Sequence, residues 1–372
     1  MTTTPSSPPE LPRVGDASGF EPDPRFYPEE LQLAFRNHTI LLEGLSYDRT
    51  PTGLHYTLTH YDVPHVDPAT WRLNICGHIG QVLSLSLADL QRRPTRTLRM
   101  TLECAGDGRG LLRPRPVAQP WLVGAVGTAD WTGTPLRGLL EEAGLLPGTV
   151  EMLFTGLDRG IEGEVEQDYQ RSLPLHEALG EDTLLAWSMN DSPLEPQHGA
   201  PLRLVAPGWY GMAHVKRLCS IEALTEPFAG YQQVRAYRYS QAREQVGDPV
   251  TLMRVRSLMI PPGIPDFMTR TRVVRRGRVE LRGRAWSGRV PIARVEVSEN
   301  GGSSWAPAEL EAQSCAHVWQ AWRFEWDVER AGAYELCCRA TDVTGSQQPL
   351  EPFWTARGMG NNAVHRVQVI AV

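Results

Sequence analysis

The pattern of apolar and polar positions changes character near residue 245. Before it, residues 71–75 alternate as a strand, and residues 134–144 predict a helix with a polar cap, a proline at the first helical position and a glycine at the exit. Residues 84–90 predict a helix entered through a serine cap. Further strands are predicted at residues 152–155, 184–187, 202–205 and 215–218. This irregular order is typical of an α+β domain and not of a βαβ repeat.

After residue 245 the pattern is one of strands alone. Residues 322, 324, 326 and 328 are apolar with a period of two, and so are residues 334, 336, 338 and 340. Turn signals such as residues 299–302 separate these runs, which favours an all-β sandwich of immunoglobulin type. Residues 1–28 contain seven prolines and predict an extended tail. We therefore expect three regions, at residues 1–28, 29–245 and 246–372.

The bulk composition narrows the classes of function. A hydrophobic fraction of 41% supports real cores, and a net charge of -6 argues against a nucleic-acid partner, since phosphate binding needs a basic face. No apolar run approaches the roughly 18 residues of a membrane span, and the first residues lack the features of an export signal. Six cysteines without a C-x-x-C predict neither a disulfide framework nor a zinc site. We expect a reduced, cytoplasmic protein.

Cys104 is the residue with the most chemical promise. It ends an alternating run whose parity predicts a half-buried strand with the thiol on the apolar side. A small, flexible turn at residues 105–108 follows, and then Arg109. A thiolate beside a cation is what a soft metal centre with an anionic substrate would need. The alternative is an ordinary core cysteine, because free cysteines are among the most buried residues.

Other polar residues cluster beside special backbone. His198 and Arg203 precede a predicted strand and Lys216 follows it, which is a suitable set for holding a phosphate. On spacing alone residues 35–38 favour a surface loop, and a tryptophan such as Trp121 is more often a packing residue. No single cluster is specific.

Taken in order, these segments resemble the sulfite oxidase family of molybdenum enzymes, from about residue 28 onward. Arg36-Asn37-His38 is similar to that family's R-N-H, and residues 102–109 are similar to its L-x-C-A-G-N-R-R. Residues 198–203, 207–208 and 214–216 resemble its H-G-x-P-x-R, P-G and H-V-K. Residues 121–124, 131–133, 352–358 and 362–367 resemble its W-x-x-G, W-x-G, P-x-W-x-x-R-G and N-A-x-H-R-V.

The resemblance implies an α+β molybdopterin-binding domain with mixed β-sheets, followed by an immunoglobulin-like dimerisation domain. Cys104 would be the protein thiolate on molybdenum. The resemblance assigns the remaining cofactor contacts to Asn37, His38, Asp158, His198, Arg203 and Lys216. It assigns the substrate pocket to Arg36, Arg109, Arg357, Trp121 and Tyr237, with Tyr239 as the alternative tyrosine.

This resemblance predicts a homodimeric enzyme that oxidises sulfite to sulfate by oxo transfer. The alternatives are a molybdenum-dependent reductase of a sulfoxide, nitrate or another oxo compound, and a cofactor-free binding protein. The sequence departs from the family pattern at Asp107-Gly108, where an arginine is missing and a carboxylate is added, which predicts a weaker positive potential. No His-Pro-Gly-Gly segment occurs, so we expect no haem, and electrons would pass to oxygen or to a separate acceptor.

Overall fold

The computed structural model describes residues 26–242 and 245–372. Most of the predicted tail therefore lies outside the described residues. The α-helices within the described ranges are α1 (Pro28–Phe35), α2 (Leu87–Gln91), α3 (Leu136–Ala143) and α4 (Leu175–Ala178). Short 3-10 turns lie at Leu42–Ser46, Thr52–Leu54, Arg109–Leu111, Pro196–His198 and Gly211–Ala213, and a π-helix lies at Gln232–Ala236. None of these helices is both long and apolar enough to cross a membrane.

Strands β1 to β10 build the first part of the molecule. They are β1 (Leu73–Gly77), β2 (Leu83–Leu85), β3 (Arg96–Glu103), β4 (Val126–Pro135), β5 (Glu151–Glu162), β6 (Val165–Pro174), β7 (Leu184–Met189), β8 (Ser192–Pro193), β9 (Arg203–Val205) and β10 (Leu218–Leu224). One sheet has the order β2-β1-β10-β5-β6 and is mixed, because β1 and β10 run parallel. The other has the order β3-β4-β7-β8, with β9 also pairing with β7. Mixed sheets with few helices confirm the predicted α+β class.

Strands β11 to β22 follow. They are β11 (Arg238–Tyr239), β12 (Asp248–Pro249), β13 (Arg256–Ile260), β14 (Ile264–Pro265), β15 (Arg272–Val274), β16 (Gly277–Trp286), β17 (Ile292–Ser298), β18 (Ala306–Pro307), β19 (Glu309–Leu310), β20 (Gln320–Val328), β21 (Gly332–Asp342) and β22 (His365–Ala371). From β13 onward they form two sheets, in the orders β13-β16-β20-β19 and β14-β15-β22-β21-β17-β18. Their inner faces share one apolar core that includes Trp322, Trp326 and Leu336. This confirms the predicted all-β sandwich. The predicted boundary after residue 245 stays a prediction, and it falls between the paired strands β11 and β12.

Helix α3 shows how the local sequence signals operate. Its inward face buries Leu136, Leu139 and Leu140, and Gly144 ends it in the left-handed region at φ 69°. This exit matches the prediction. The helix begins one residue later than predicted, because residue 134 and Pro135 still pair with β7 at the end of β4.

Two sequence predictions about strands are wrong. β10 starts at Leu218 and not at residue 215, because Arg217 turns the chain at φ 49° and its amide donates to the Gly199 carbonyl. β3 is not half-buried at its end. Thr101 and Glu103 are as buried as the apolar residues of the other parity, because the sandwich covers that face. The amide of Trp319, for example, donates to Thr101 Oγ1 at 2.7 Å.

Candidate active site

Cys104 lies immediately after β3, where the chain enters a tight turn. Its amide donates to the Ala125 carbonyl at 2.8 Å, and its own carbonyl accepts the Asp107 amide at 3.0 Å. At Gly106 a Cβ would lie 2.6 Å from a terminal nitrogen of Arg109, so the turn needs glycine there. Burial raises the pKa of the Cys104 thiol, although nearby Arg109 acts in the opposite direction. The thiol lies where an inner cavity and an outer chamber meet, because Cys104 lines both.

The inner cavity has a volume of about 60 Å³ and a strongly basic lining. Its wall includes His55, His198, Arg203, His214, Lys216 and Arg217. Among the described residues that line it, Asp158 supplies the one carboxylate, 3.3 Å from Arg217 Nη2. The cavity therefore contains several cations with a single anion to balance them.

Burial and mutual repulsion leave these groups poorly satisfied. Burial, with Arg217 nearby, lowers the pKa of Arg203 to about 10. Burial, with Arg203 and Arg217 as neighbours, also holds the pKa of Lys216 well below its usual range. The Nε atoms of Arg203 and Arg217 and the Nε2 atom of His55 are buried without hydrogen-bond partners among the described residues. Unpaired buried polar atoms are costly, so the two arginine donors fit a phosphate-bearing ligand, whereas His55 Nε2 is an acceptor because Nδ1 donates to the Tyr56 carbonyl.

This donor set and the thiol agree with the chemistry of a molybdopterin cofactor. The phosphate would contact Arg203, Lys216 and Arg217, and Cys104 would supply one sulfur ligand. No group of three or more histidine, cysteine or acidic side chains in the described residues could hold a metal by itself. A metal at Cys104 therefore requires further donors from a cofactor, which a dithiolene would supply.

The outer chamber has a volume of about 520 Å³ and opens toward solvent. Arg36, Arg109 and Arg357 line it together with Cys104 and Trp121. None of the three guanidinium groups has a carboxylate within ion-pair distance among the described residues. Burial, with Arg357 adding repulsion, lowers the pKa of Arg109. The chamber therefore presents three arginines beside the thiol, and Asp62 and Glu162 are the carboxylates among its described lining residues.

Tyr237 and Tyr239 occupy different places. Tyr237 is buried and lines both the cavity and the chamber, close to Cys104. Burial, with the Cys104 charge nearby, raises the pKa of Tyr237, so its hydroxyl stays a hydrogen-bond donor. Tyr239 lines neither space, and its ring lies 4.2 Å below the guanidinium of Arg254. The geometry favours Tyr237 as the tyrosine of the site.

Of the segment 36–38, the structure brings only Arg36 into the chamber. The Asn37 amide donates to Gln119 Oε1 at 2.9 Å, and its oxygen accepts the Thr59 amide at 2.6 Å. His38 is exposed, and its Nε2 lies 3.1 Å from the His55 carbonyl. Neither residue lines the cavity or the chamber. Both residues bond to segments that form the walls. Neither makes a direct contact that would support its assignment to cofactor binding.

Sequence reasoning missed several lining residues. His55, His60, Tyr169 and Arg217 all face the inner cavity. His60 Nε2 also lies 2.9 Å from the Glu162 carboxylate at the chamber wall. The one local signal was Arg217, which directly follows Lys216. The others belong to segments far apart in sequence that meet only after folding.

The sequence predicted that Asp107 weakens the positive potential of the substrate pocket, but the structure places its carboxylate outside the chamber wall. Its carboxylate is buried, accepts the Ala125 amide at 2.9 Å and lies 3.2 Å from Arg256 Nη2. It lines neither the cavity nor the chamber. Its carboxylate therefore fixes the turn after Cys104 and is paired with Arg256, which it shares with Glu103.

The C-terminal part of the chain completes this turn. Asn361 Nδ2 donates to the Gly108 carbonyl at 2.8 Å, and the Gly360 amide donates to the Ala105 carbonyl at 2.7 Å. Arg109 Nε donates to the Arg357 carbonyl at 2.8 Å. The thiol and the chamber are thus built from both parts of the molecule.

Comparisons with known proteins agree with this geometry. Residues 60–232 match the oxidoreductase molybdopterin binding domain, and residues 248–372 match the Mo-co oxidoreductase dimerisation domain. The chain is 35% identical to mouse mitochondrial sulfite oxidase over 342 residues, which is 87% of this chain and 62% of the relative. It is 34% identical to chicken sulfite oxidase over 336 residues, covering 85% of this chain and 72% of the relative. The chain thus spans about three fifths of the length of the mammalian relatives.

A more distant relative and a solved structure extend the comparison. The NADH nitrate reductase of Ulva prolifera is 28% identical over 345 residues, covering 86% of this chain and 40% of the relative. The crystal structure of the sulfane dehydrogenase SoxCD from Paracoccus pantotrophus superposes with a TM-score of 0.76 at 23% identity. That match covers 97% of this chain and 93% of the other, and it supports the fold.

Proposed function

This chain belongs to the sulfite oxidase family of molybdenum oxidoreductases, and from that premise we propose that it oxidises sulfite to sulfate. The observation that carries the proposal is the outer chamber, where three arginines without carboxylate partners lie beside the Cys104 thiol. A small oxyanion with a nucleophilic lone pair fits such a chamber, because fixed cations stabilise its charge throughout the reaction. The family membership excludes the alternative of a cofactor-free binding protein.

The bound molybdenum cofactor would supply oxygen-atom transfer and accept two electrons. Cys104 would be its protein thiolate, and Arg203, Lys216 and Arg217 would hold its phosphate. Asp158 would orient Arg217, since their side chains are 3.3 Å apart and both are buried. Asn37 and His38 would act through the wall segments that they support.

The chain's own residues would then position the substrate. Arg109 is held rigidly by the Arg357 and Gln119 carbonyls, so its guanidinium is oriented before an anion arrives. Arg357 and Arg36 would add charge from the half-buried and exposed parts of the wall. The Tyr237 hydroxyl would donate a hydrogen bond near the thiol, and buried Trp121 would exclude water from one side.

The first test is spectroscopic. Cofactor-loaded protein is oxidised, its thiolate-to-metal absorption is recorded, and sulfite is added without oxygen. Bleaching of the band, followed by sulfate formation with ferricyanide as acceptor, supports the proposal. A loaded enzyme whose band survives sulfite contradicts it.

A second test separates the anion site from the general charge of the chamber. Arg109→Gln should raise KM for sulfite about 10- to 100-fold, because a charge-assisted hydrogen bond contributes about 1.5–3 kcal/mol. Arg159→Gln is the matched control. Arg159 also lines the chamber, but its guanidinium is paired with Glu166 at 3.0 Å, so we expect little change. Equal effects of both substitutions would contradict a specific role for Arg109.

A second candidate function is reduction of an oxo compound such as nitrate. The similarity to a nitrate reductase favours it, and the chamber cations would bind that anion as well. The two functions differ in the direction of electron flow. Two results together would support the reductase. Nitrate restores the absorption band of the reduced enzyme, and sulfite does not bleach the band of the oxidised enzyme.

We also propose that the protein is a homodimer through residues 248–372 and that its electrons pass to a separate acceptor or to oxygen. A cytoplasmic location is part of the same proposal. All six cysteines are free thiols, which agrees with a reducing compartment. Size-exclusion chromatography with light scattering tests the dimer directly.

A further inference from the structure

The outer chamber is much larger than sulfite requires. Sulfite has four non-hydrogen atoms and displaces about two or three waters of roughly 30 Å³ each. The chamber volume is about 520 Å³. Pockets that bind organic ligands span about 300–1,000 Å³. The bound cofactor would take up the part of this volume next to Cys104, and an organic substituent on the anion would lie in the remainder, toward Leu33 and Ile161.

Part of the wall beyond the arginines is apolar and comes from three separate segments, although Asp62, Arg159 and Glu162 also line the chamber. Leu33 lies on α1, Val117 and Ala118 lie on the loop before Trp121, and Ile161 lies near the end of β5. Ile161 has 75% of its surface exposed, so it does not contribute to a buried core. Exposed apolar side chains that line a concave surface mark a contact for an apolar group.

These segments are held in place. The Glu30 carboxylate on α1 is fully buried and paired with Arg115, which precedes Val117 closely in the chain. Asn37 links the end of α1 to Gln119. β5 and β6 form a two-residue turn at Gly163 and Glu164, both with positive φ, which fixes the hairpin that carries Ile161. The apolar wall is therefore a preformed surface.

We infer that the substrates of this site include organic sulfinates, R–SO₂⁻, which the enzyme oxidises to sulfonates. This inference rests on the proposed oxo-transfer function at Cys104. The sulfinate head would lie against Arg109 and Arg357, and the substituent would contact Leu33, Val117 and Ile161. A sulfinate has the same sulfur lone pair as sulfite, with a carbon substituent in place of one oxygen.

The reaction balances as R–SO₂⁻ + H₂O → R–SO₃⁻ + 2 H⁺ + 2 e⁻. One S–O bond forms at the sulfur lone pair, the carbon–sulfur bond is kept, and the added oxygen derives ultimately from water. The two protons pass to solvent. The bound cofactor would supply the two-electron acceptor, and ferricyanide, a one-electron oxidant, would take up the electrons in the assay.

The first experiment compares sulfite, methanesulfinate and benzenesulfinate as substrates of the loaded enzyme. We expect turnover of all three, with kcat/KM higher for benzenesulfinate than for methanesulfinate because the ring buries more apolar surface. Turnover of sulfite alone overturns the inference and leaves the proposed function intact. If the enzyme turns over none of the three compounds, both the inference and the proposed function are overturned. Turnover of sulfinates without sulfite supports the inference and contradicts the proposed substrate.

The second experiment changes the apolar wall. The double variant Val117→Ser/Ile161→Ser should lower kcat/KM for benzenesulfinate about tenfold and change that for sulfite less than twofold. Val165→Ser is the control, since Val165 is 52% exposed on the same hairpin and does not line the chamber. Equal losses for sulfite and benzenesulfinate would overturn the inference.

A third readout does not depend on turnover. Calorimetry measures binding of the product analogues benzenesulfonate and sulfate to the cofactor-free protein and to the oxidised enzyme. We expect benzenesulfonate to bind more tightly than sulfate, and the double variant to remove that difference. Tighter binding of sulfate, or a difference that survives in the double variant, overturns the assignment of the wall.

Discussion

The guanidinium of Arg256, on the first strand of the sandwich, lies 2.8 Å from the carboxylate of Glu103, the residue before Cys104. Both side chains are almost fully buried. The same guanidinium contacts Asp107 at 3.2 Å, so one cation bridges carboxylates on both sides of the thiol. Trp286 Nε1 completes the arrangement with a hydrogen bond of 2.8 Å to Glu103. The geometry of Cys104 therefore depends on the sandwich.

Removing this cation should be costly. Arg256→Met leaves two buried carboxylates without a cation, and breaking a buried ion pair from one side costs about 3–5 kcal/mol. We expect a loss of that size in the free energy of unfolding, measured by urea denaturation of cofactor-free protein. Arg278→Gln is the control, because Arg278 and Glu325 are both 68% exposed and such a pair contributes about 1 kcal/mol or less. Similar losses for the two variants would contradict the structural role assigned to Arg256.

Substituting the thiol should abolish chemistry without unfolding the protein. Cys104→Ser should lower turnover at least about 100-fold, since even the loss of an outer partner of a metal ligand costs about 10- to 100-fold. The thiolate-to-metal absorption should disappear while the melting temperature of cofactor-free protein changes little. Turnover is measured with ferricyanide, and molybdenum by elemental analysis. An active, coloured variant would refute the site.

The inner cavity should make the cofactor-free protein sensitive to acid. Burial, with Arg203 nearby, lowers the pKa of His214 to about 3, and its Nδ1 already accepts the Ala206 amide at 3.2 Å. The folded state thus binds fewer protons than the unfolded state between about pH 6.5 and 3. Stability is complete above pH 6.5 and falls as the pH decreases, by up to about 1.4 kcal/mol per pH unit for this group.

The variant His214→Gln tests this dependence, since an amide can accept from the Ala206 amide and donate to the Trp209 carbonyl without titrating. Unfolding free energies at pH 7 and pH 5 should differ by about 2 kcal/mol less in the variant than in the original protein. His176→Gln, at a side chain that is 80% exposed, should keep the original difference. An unchanged difference in His214→Gln would contradict the assignment.

Phosphate should stabilise the cofactor-free protein. The cations of the inner cavity have one counter-charge, Asp158, among the described lining residues, so an anion that binds only the folded state adds about 2.7 kcal/mol at 100 times its dissociation constant. We expect the melting temperature to rise with inorganic phosphate beyond the effect of chloride at equal ionic strength. Arg203→Gln should remove the rise, and Arg339→Gln, paired with Glu296 in the sandwich, should keep it. A rise that persists in Arg203→Gln would place the phosphate elsewhere.

The sequence predicted those structural features that depend on short stretches of residues. The period-two runs of the sandwich, the glycine exit of α3 and the position of Cys104 at a strand end all follow from short-range rules. The ordered motifs also brought Arg109, Arg203 and Lys216 to the right part of the fold. These features need no knowledge of distant partners.

What the sequence could not give depends on distant partners and side-chain direction. Asn37 carries the expected residue type, but its amide faces Gln119 and not the cavity. Asp107 was interpreted by its charge, whereas its effect is decided by Arg256, about 149 residues away. Neither contact can be predicted from the residues that are adjacent in sequence to Asn37 or Asp107.

The Cys104 turn also sets an order of events during synthesis. Arg109 and Gly108 in this turn bond to Arg357 and Asn361, which follow them by 248 and 253 positions. A nascent chain therefore exposes an incomplete turn until Arg357 and Asn361 leave the ribosome. We expect cofactor insertion only after that point, which would prevent stalled or prematurely ended chains from consuming a scarce cofactor. Chains ended at residue 340 and supplied with cofactor should remain colourless, and a coloured product would contradict this order.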